Sequence, residues 1–169
     1  MVSIDLARMA RHLATPPGRL ARALPSQDVV AIEEAIARSE SRHTGQIRFA
    51  AEAALDLPLL LKGESARDRA IELFARLRVW DTEHNNGVLI YLLLADRSIE
   101  IVADRAVAAR MGAAHLHGIC RHMEAACKQG RFAQAVVCAI AAVTPHLAKD
   151  FPAVAGRAGN ELPDQAALL

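Results

Sequence analysis

The sequence predicts an α/β domain, a three-layer α/β/α sandwich with a small mixed β-sheet flanked by helices. Three observations carry this reading. Four long segments repeat their apolar residues at spacings of three and four, the signature of helices with one buried face. The run Gly87 to Ala95 is apolar on both faces, as a central strand of a doubly covered sheet must be. The order of elements is helix, strand, helix, strand, strand, helix, helix. It places a helical crossover between the first two strands, which then pair in parallel, and a hairpin between the second and third. At 169 residues, 53% hydrophobic and 23% charged, the chain is long and apolar enough to bury one core.

The elements follow in order. Residues 1–25 form a basic N-terminal arm or short helix, with Leu6, Met9 and Leu13 at helical spacing, broken at Thr15-Pro16-Pro17-Gly18. Ser26 is placed as N-cap of a helix to Arg42, with Val29, Ile32 and Ile36 on its buried face. His43-Thr44-Gly45 ends that helix and Gln46 to Ala54 is a strand, Ile47, Phe49 and Ala51 inward and Arg48, Ala50 and Glu52 on a more polar face. Leu55 to Gly63 is taken as a loop. Ser65, with Asp68 three residues on, forms a capping box for a helix to Arg78. A polar segment then leads into the central strand. Asp96-Arg97 turns the chain into an antiparallel strand, Ser98 to Ala103, with Ile99 and Ile101 on one side and Glu100 and Val102 on the other. A short turn to Arg110 precedes helices from Ala113 to Gln129 and Phe132 to Ala148, separated by Gly130 at a helix C-terminal position. The domain is bounded at 26–150. Residues 151–169, with Pro152, Gly156, Gly159 and Pro163, are an irregular C-terminal tail.

Composition narrows the function classes. A formal net charge of +1 lacks the basic surplus of a dedicated nucleic-acid binder. The three cysteines, Cys120, Cys127 and Cys138, lie in helical segments and are odd in number, which suits free thiols in a reducing compartment. The N-terminus has no uninterrupted apolar core of a signal peptide. The longest strongly apolar run, Val88 to Ala95, is far short of the roughly 20 residues of a spanning helix. The expected location is therefore the cytoplasm. Near-neutrality conceals a split, since four arginines against Asp5 give residues 1–25 a charge of +3 and leave −2 on the rest. A basic arm with an apolar stripe raises peripheral contact with the inner membrane, against the plainer alternative of a helix packed on its own domain.

The residues from Asn85 to Arg105 carry a family resemblance. Asn86-Gly87-Val88-Leu89-Ile90-Tyr91, then Asp96-Arg97, then Ile99-Glu100-Ile101-Val102-Ala103-Asp104-Arg105 resembles the TPM domain family. His43-Thr44-Gly45-Gln46-Ile47 resembles the start of that family's first strand, and Gly130-Arg131-Phe132 its turn before the last helix. The similarity covers about residues 26–150. Trp80-Asp81-Thr82-Glu83-His84-Asn85-Asn86-Gly87 and Asn160-Glu161-Leu162-Pro163-Asp164 resemble a short bacterial subgroup without signal peptide or membrane segment. The resemblance implies the same α/β/α sandwich. It also implies a choice of roles: relatives include calcium-binding members, a plant member credited with weak acid phosphatase activity, and membrane-anchored interaction modules. Ala103-Asp104-Arg105 stands where many relatives carry glycine-tyrosine-glycine.

Strand geometry independently gathers a candidate site. In an antiparallel hairpin the end of the third strand lies beside the start of the second, so Asp104 approaches Asn85, Asn86 and the loop holding Asp81. These carboxylate and amide oxygens are the ligand type of hard cations such as Ca²⁺ or Mg²⁺, although not at EF-hand spacing. Trp80, Glu83 and Arg105 border the same end. The alternative is ordinary loop chemistry: an Asn-Asn-Gly turn, Asp81 at a helix end, Asp104 as an N-cap. At the opposite end, Asp56 and Asp96-Arg97 lie at the carboxyl edge of the parallel strands, where open α/β sheets hold ligands, although Asp96-Arg97 is equally a hairpin turn. His115, His117, Cys120, His122 and Cys127 match no four-ligand zinc spacing and read as scattered helix histidines and small buried cysteines. No P-loop, Cys-x5-Arg or Asp-x-Asp motif occurs. The expected function is thus a binding or interaction module with a divalent cation and a protein partner. A metal-dependent phosphatase and a peripheral membrane accessory protein are the alternatives.

Overall fold

A computed structural model describes residues 5–154 and 160–169; Gly156 and Gly159, invoked for the irregular tail, lie outside the described residues. The chain runs α1 (Leu6–Leu13), α2 (Arg19–Ala23), α3 (Ser26–Glu40), β1 (Gln46–Glu52), α4 (Leu57–Leu61), α5 (Ala66–Arg76), β2 (Gly87–Leu93), β3 (Ser98–Ala103), α6 (Arg105–Met111), α7 (Ala113–Lys128), α8 (Phe132–Asp150) and β4 (Ala167–Leu168). The sheet order is β3-β2-β1-β4. β1 pairs in parallel with β2, Gln46 opposite Gly87, and β2 pairs antiparallel with β3, Val88 opposite Ala103. This is the predicted sandwich. Ile47, Phe49, Val88, Ile90, Leu92, Ile99 and Ile101 share a core with residues of α3, α7 and α8. Ala50, Leu89, Tyr91, Leu93 and Val102 point the other way, into a second core with Leu60 of α4 and Ala70 and Leu73 of α5.

Local chemistry explains the boundaries. Ser65 accepts the Asp68 backbone N–H while the Asp68 carboxylate accepts the Ser65 N–H, a complete capping box. Gly130 adopts φ 76°, ending α7 as a left-handed C-terminal glycine does. Ser26 proves to be the first residue of α3, behind Pro25. Gly87 must lack a side chain, since a Cβ there would sit 2.0 Å from the Val79 carbonyl oxygen. That close approach presses the loop before β2 flush against the strand.

Three expectations change. Leu55 to Gly63 is not all loop: Asp56 precedes a helical turn, α4, that buries Leu60. The more polar face of β1 is largely covered rather than solvated: Ala50 packs with α5 and Glu52 is buried at only 6% exposure, while Arg48 stays partly exposed. The tail is largely irregular, yet it ends in a fourth strand, Ala50 opposite Ala167 and Ala51 opposite Leu168. Gln46 Oε1 accepts the Glu161 and Leu162 N–H groups, and Arg48 donates to the Pro163 and Gln165 carbonyls at 2.5 and 2.6 Å. By length and composition α8 is long and apolar enough to cross a membrane, although polar residues interrupt its apolar runs. Here its apolar face, including Val136, Ile140 and Val143, packs into the core.

Candidate functional site

The start of β2 meets the end of β3 as hairpin geometry requires. Asp104 N–H donates to Gly87 O at 2.8 Å, Ala106 N–H to Asn85 O at 3.1 Å, and Gln46 N–H to Asn86 O at 3.2 Å. These bonds stitch the starts of β1, β2 and α6 together. Asp104 caps α6, its Oδ1 accepting Arg105 N–H at 2.6 Å. Asn86 is fully buried, its Nδ2 donating to Thr44 O at 3.0 Å and its N–H to Thr82 Oγ1 at 3.1 Å. Two oxygens are left over. Asn86 Oδ1 and Asp104 Oδ2 are both buried and have no hydrogen-bond partner. An unsatisfied buried polar group costs about 1–3 kcal/mol, more when charged, so each of these two oxygens is a costly feature of this sheet end.

The other predicted residues of this end do not converge on those oxygens. Asp81 turns to Arg78, Oδ2 accepting from Nη2 at 2.7 Å, and is half exposed. Trp80 is half exposed with the Arg78 guanidinium 5.8 Å from its ring centroid. Glu83 N–H donates to Glu161 Oε2 at 2.8 Å. Asn85 takes a left-handed φ of 50°, and its Oδ1 accepts from the exposed Arg105 side chain at 3.5 Å. Among the described residues, no group of three or more His, Cys, Asp or Glu side chains is arranged to hold a metal ion. What remains without a partner at this end is one buried carboxylate oxygen and one buried amide oxygen. One or two protein oxygens with several retained waters is the habit of Mg²⁺ rather than of Ca²⁺, which takes six to eight oxygens.

At the far end of the sheet, Asp96 is an anchor. Arg8 donates to its carboxylate from Nε at 3.0 Å and from Nη2 at 2.8 Å, and His12 Nε2 lies 2.9 Å from Oδ1. His12 Nδ1 accepts Leu55 N–H at 2.9 Å, so its proton sits on Nε2 and is donated to Asp96. Arg8 Nη1 also donates to Glu64 O at 2.7 Å. The guanidinium and imidazole hold the Asp96 carboxyl below the usual carboxylate range, against the opposing effect of burial. Arg97 adopts φ 51° and donates to Lys128 O at 3.0 Å, satisfying a carbonyl at the end of α7. Asp96 and Arg97 thus fasten helices to the hairpin turn.

Two buried polar clusters escaped the sequence reading. Arg69 donates to both Glu52 oxygens, at 2.5 and 2.9 Å, and Tyr91 OH donates to Glu52 Oε2 at 2.7 Å. A lone carboxylate closing an apolar strand was the available signal. Elsewhere Ser39 Oγ lies 2.8 Å from His43 Nε2 and 2.6 Å from Thr144 Oγ1, while His43 Nδ1 donates to Gly45 O at 3.0 Å. The Ser-His spacing resembles a nucleophile and base, but all three side chains are buried in the core between α3 and α8. Burial pushes the His43 imidazole below its ordinary range, the Gly45 bond working against it.

Fold and site together define a small α/β/α sandwich domain with two buried, partnerless oxygens at one sheet end and a helix-locked opposite end. The chain belongs to the TPM domain family, whose pattern it matches over residues 19–145. Its structure is similar to the NMR structure of the BA42 protein from the psychrophilic bacterium Bizionia argentinensis, at 27% identity and a TM-score of 0.74, covering 86% of this chain and 95% of that one. The N-terminal domain of a P. gingivalis protein shares the fold, at 15% identity and a TM-score of 0.59, covering 81% of this chain and 90% of that one. No curated protein matches the chain.

Proposed function

We propose that the chain is a binding module that takes a hard divalent cation, Mg²⁺ or Ca²⁺, through Asp104 Oδ2 and Asn86 Oδ1. The observation that carries this is the pair of buried, partnerless oxygens at the joint of β2 and α6. Both atoms are shielded, so the cation enters as the exposed Arg105 side chain or the loop before β2 shifts. The coordination that two protein oxygens leave open is filled by water or by an oxygen ligand of a partner. Phosphate-ester hydrolysis would use the same cation and requires the same two residues.

A thermal-unfolding series tests the proposal. Mg²⁺ or Ca²⁺ raises the midpoint of the unaltered protein, by the equivalent of about 2.7 kcal/mol at a hundred times the dissociation constant. Asp104→Asn keeps an N-cap oxygen but removes the charge, and Asn86→Ala removes the second oxygen; each abolishes the shift. A shift that survives in Asp104→Asn, or no shift with either ion, refutes the site. Loss of any phosphatase turnover in the same two variants would support the enzymatic alternative, and turnover that persists would exclude these residues from it.

A further inference from the structure

The helix α7 looks unpromising for a metal on its own, because its histidines and cysteines match no ligand spacing. The fold supplies what the spacing lacks. His115, in the first turn of α7, faces His146, near the end of α8, with the two Nε2 atoms 3.0 Å apart and the ring centroids 4.6 Å apart at 63°. An ion placed beside that contact is within reach of both Nε2 atoms. With metal–nitrogen bonds of about 2.0–2.1 Å, two nitrogens at that separation subtend about 90–100° at the metal. Tetrahedral coordination would need them about 3.3–3.4 Å apart. The bite therefore suits cis positions of a square or tetragonal centre, which Cu²⁺ and Ni²⁺ prefer.

The surroundings leave room for the remaining ligands. A groove of about 380 Å³ runs beside the pair, lined by His115, Gly118, Ile119, His122, Met123 and Ala142. Ala142 lies one turn before His146 on α8, so the pair stands at one end of that groove. His122 is seven residues along α7 from His115, two turns or roughly 10 Å away, and cannot share one ion with it. The ends of the two helices also compensate electrostatically. The cation is favoured by the negative C-terminal end of α8, which offsets the positive N-terminal end of α7.

We infer that His115 and His146 form a two-histidine site for a borderline divalent cation, Cu²⁺ or Ni²⁺, which clips α7 to α8 and keeps its other coordination positions open. Binding replaces the N–H···N contact between the rings. Each ring then carries its proton on Nδ1 and offers the Nε2 lone pair to the metal, with no net proton lost from a neutral pair.

The test uses the full chain without a histidine tag. Calorimetric titration with Cu²⁺ and Ni²⁺ is expected to show one saturable equivalent, and electron paramagnetic resonance of the Cu²⁺ adduct to show nitrogen coordination. His115→Ala and His146→Ala each weaken binding by at least about tenfold, since even outer partners of metal ligands cost that much. His122→Ala leaves it unchanged, and Asp104→Asn leaves it unchanged as well, separating this site from the oxygen pair. Absence of saturable binding would mean the rings make only a hydrogen bond, and the inference fails. It fails equally if His122→Ala weakens binding as much as His115→Ala, because the metal is then spread over surface histidines. Unaltered thermal midpoints of the metal-free variants confirm that they fold.

Discussion

Single side chains decide much of this domain's stability. Glu52 ends β1 inside the second core, where only the Arg69 guanidinium and the Tyr91 hydroxyl make its charge tolerable. Hydrogen bonding to Glu52 raises the Arg69 guanidinium further above its ordinary value despite burial. Burial, with the Glu52 charge beside it, pushes the Tyr91 phenol far up. Removing one partner strands a buried charge, so Arg69→Met is expected to cost about 3–5 kcal/mol by urea unfolding, and Tyr91→Phe about 1–2 kcal/mol. A cost for Arg69→Met near zero would show that Glu52 is solvated. Glu40 behaves oppositely. Burial pushes its carboxyl up to about 8, the Ile47 N–H that it accepts at 2.6 Å works downward, and the nearby Asp164 charge adds to the rise. Its folded value lies above its unfolded one, so the protonated acid stabilises fully below about pH 4.5 and that contribution is lost as pH climbs toward 8. Glu40→Gln removes this slope. Relative to the unaltered protein the variant gains progressively across that window, by about 3–5 kcal/mol in all, and a pH-independent difference in unfolding free energy would contradict it.

At the scale of elements, periodicity was a good guide wherever a segment was long and buried on one side. α3, α5, α7 and α8 fall within a few residues of their predicted bounds, and β2 is central as its doubly apolar sequence requires. The capping box of Ser65 and Asp68 located the start of α5 to the residue. Short elements were less legible, for a physical reason. α4 is five residues and β4 only two, too short for any apolar period, and each exists because the sheet offers it something to bury or pair with. The burial of the more polar face of β1 was equally illegible, since Glu52 is paired with an arginine 17 residues away that no local pattern reveals. For the candidate site, strand pairing brought Asp104 to Asn86's end of the sheet. The Asp81 carboxylate is held by Arg78, three residues back, at 2.7 Å, a local pairing that strand geometry does not reveal. The histidine pair was out of reach, since its partners lie 31 residues apart on separate helices.

The whole molecule is held closed from both ends of its sequence. The C-terminal segment lies along the outer edge of β1, tied by Gln46, Arg48 and Glu33, and buries Leu162. Deleting residues 160–169 should therefore lower unfolding free energy by about 2–4 kcal/mol and bare the β1 edge, so that association grows with concentration in sedimentation. A truncated chain that stays monomeric with an unchanged midpoint would show the segment to be ornamental. The N-terminal segment does something different. Open α/β sheets usually receive small molecules at the carboxyl ends of their parallel strands. Here that crevice is already taken, by Arg8 and His12 of α1 gripping Asp96 and the Leu55 amide. The helix acts as a ligand tethered to its own receptor, present at an effective concentration on the order of millimolar. Any solute seeking the same crevice must outcompete that resident, which turns the customary ligand face of the sheet into a self-occupied one.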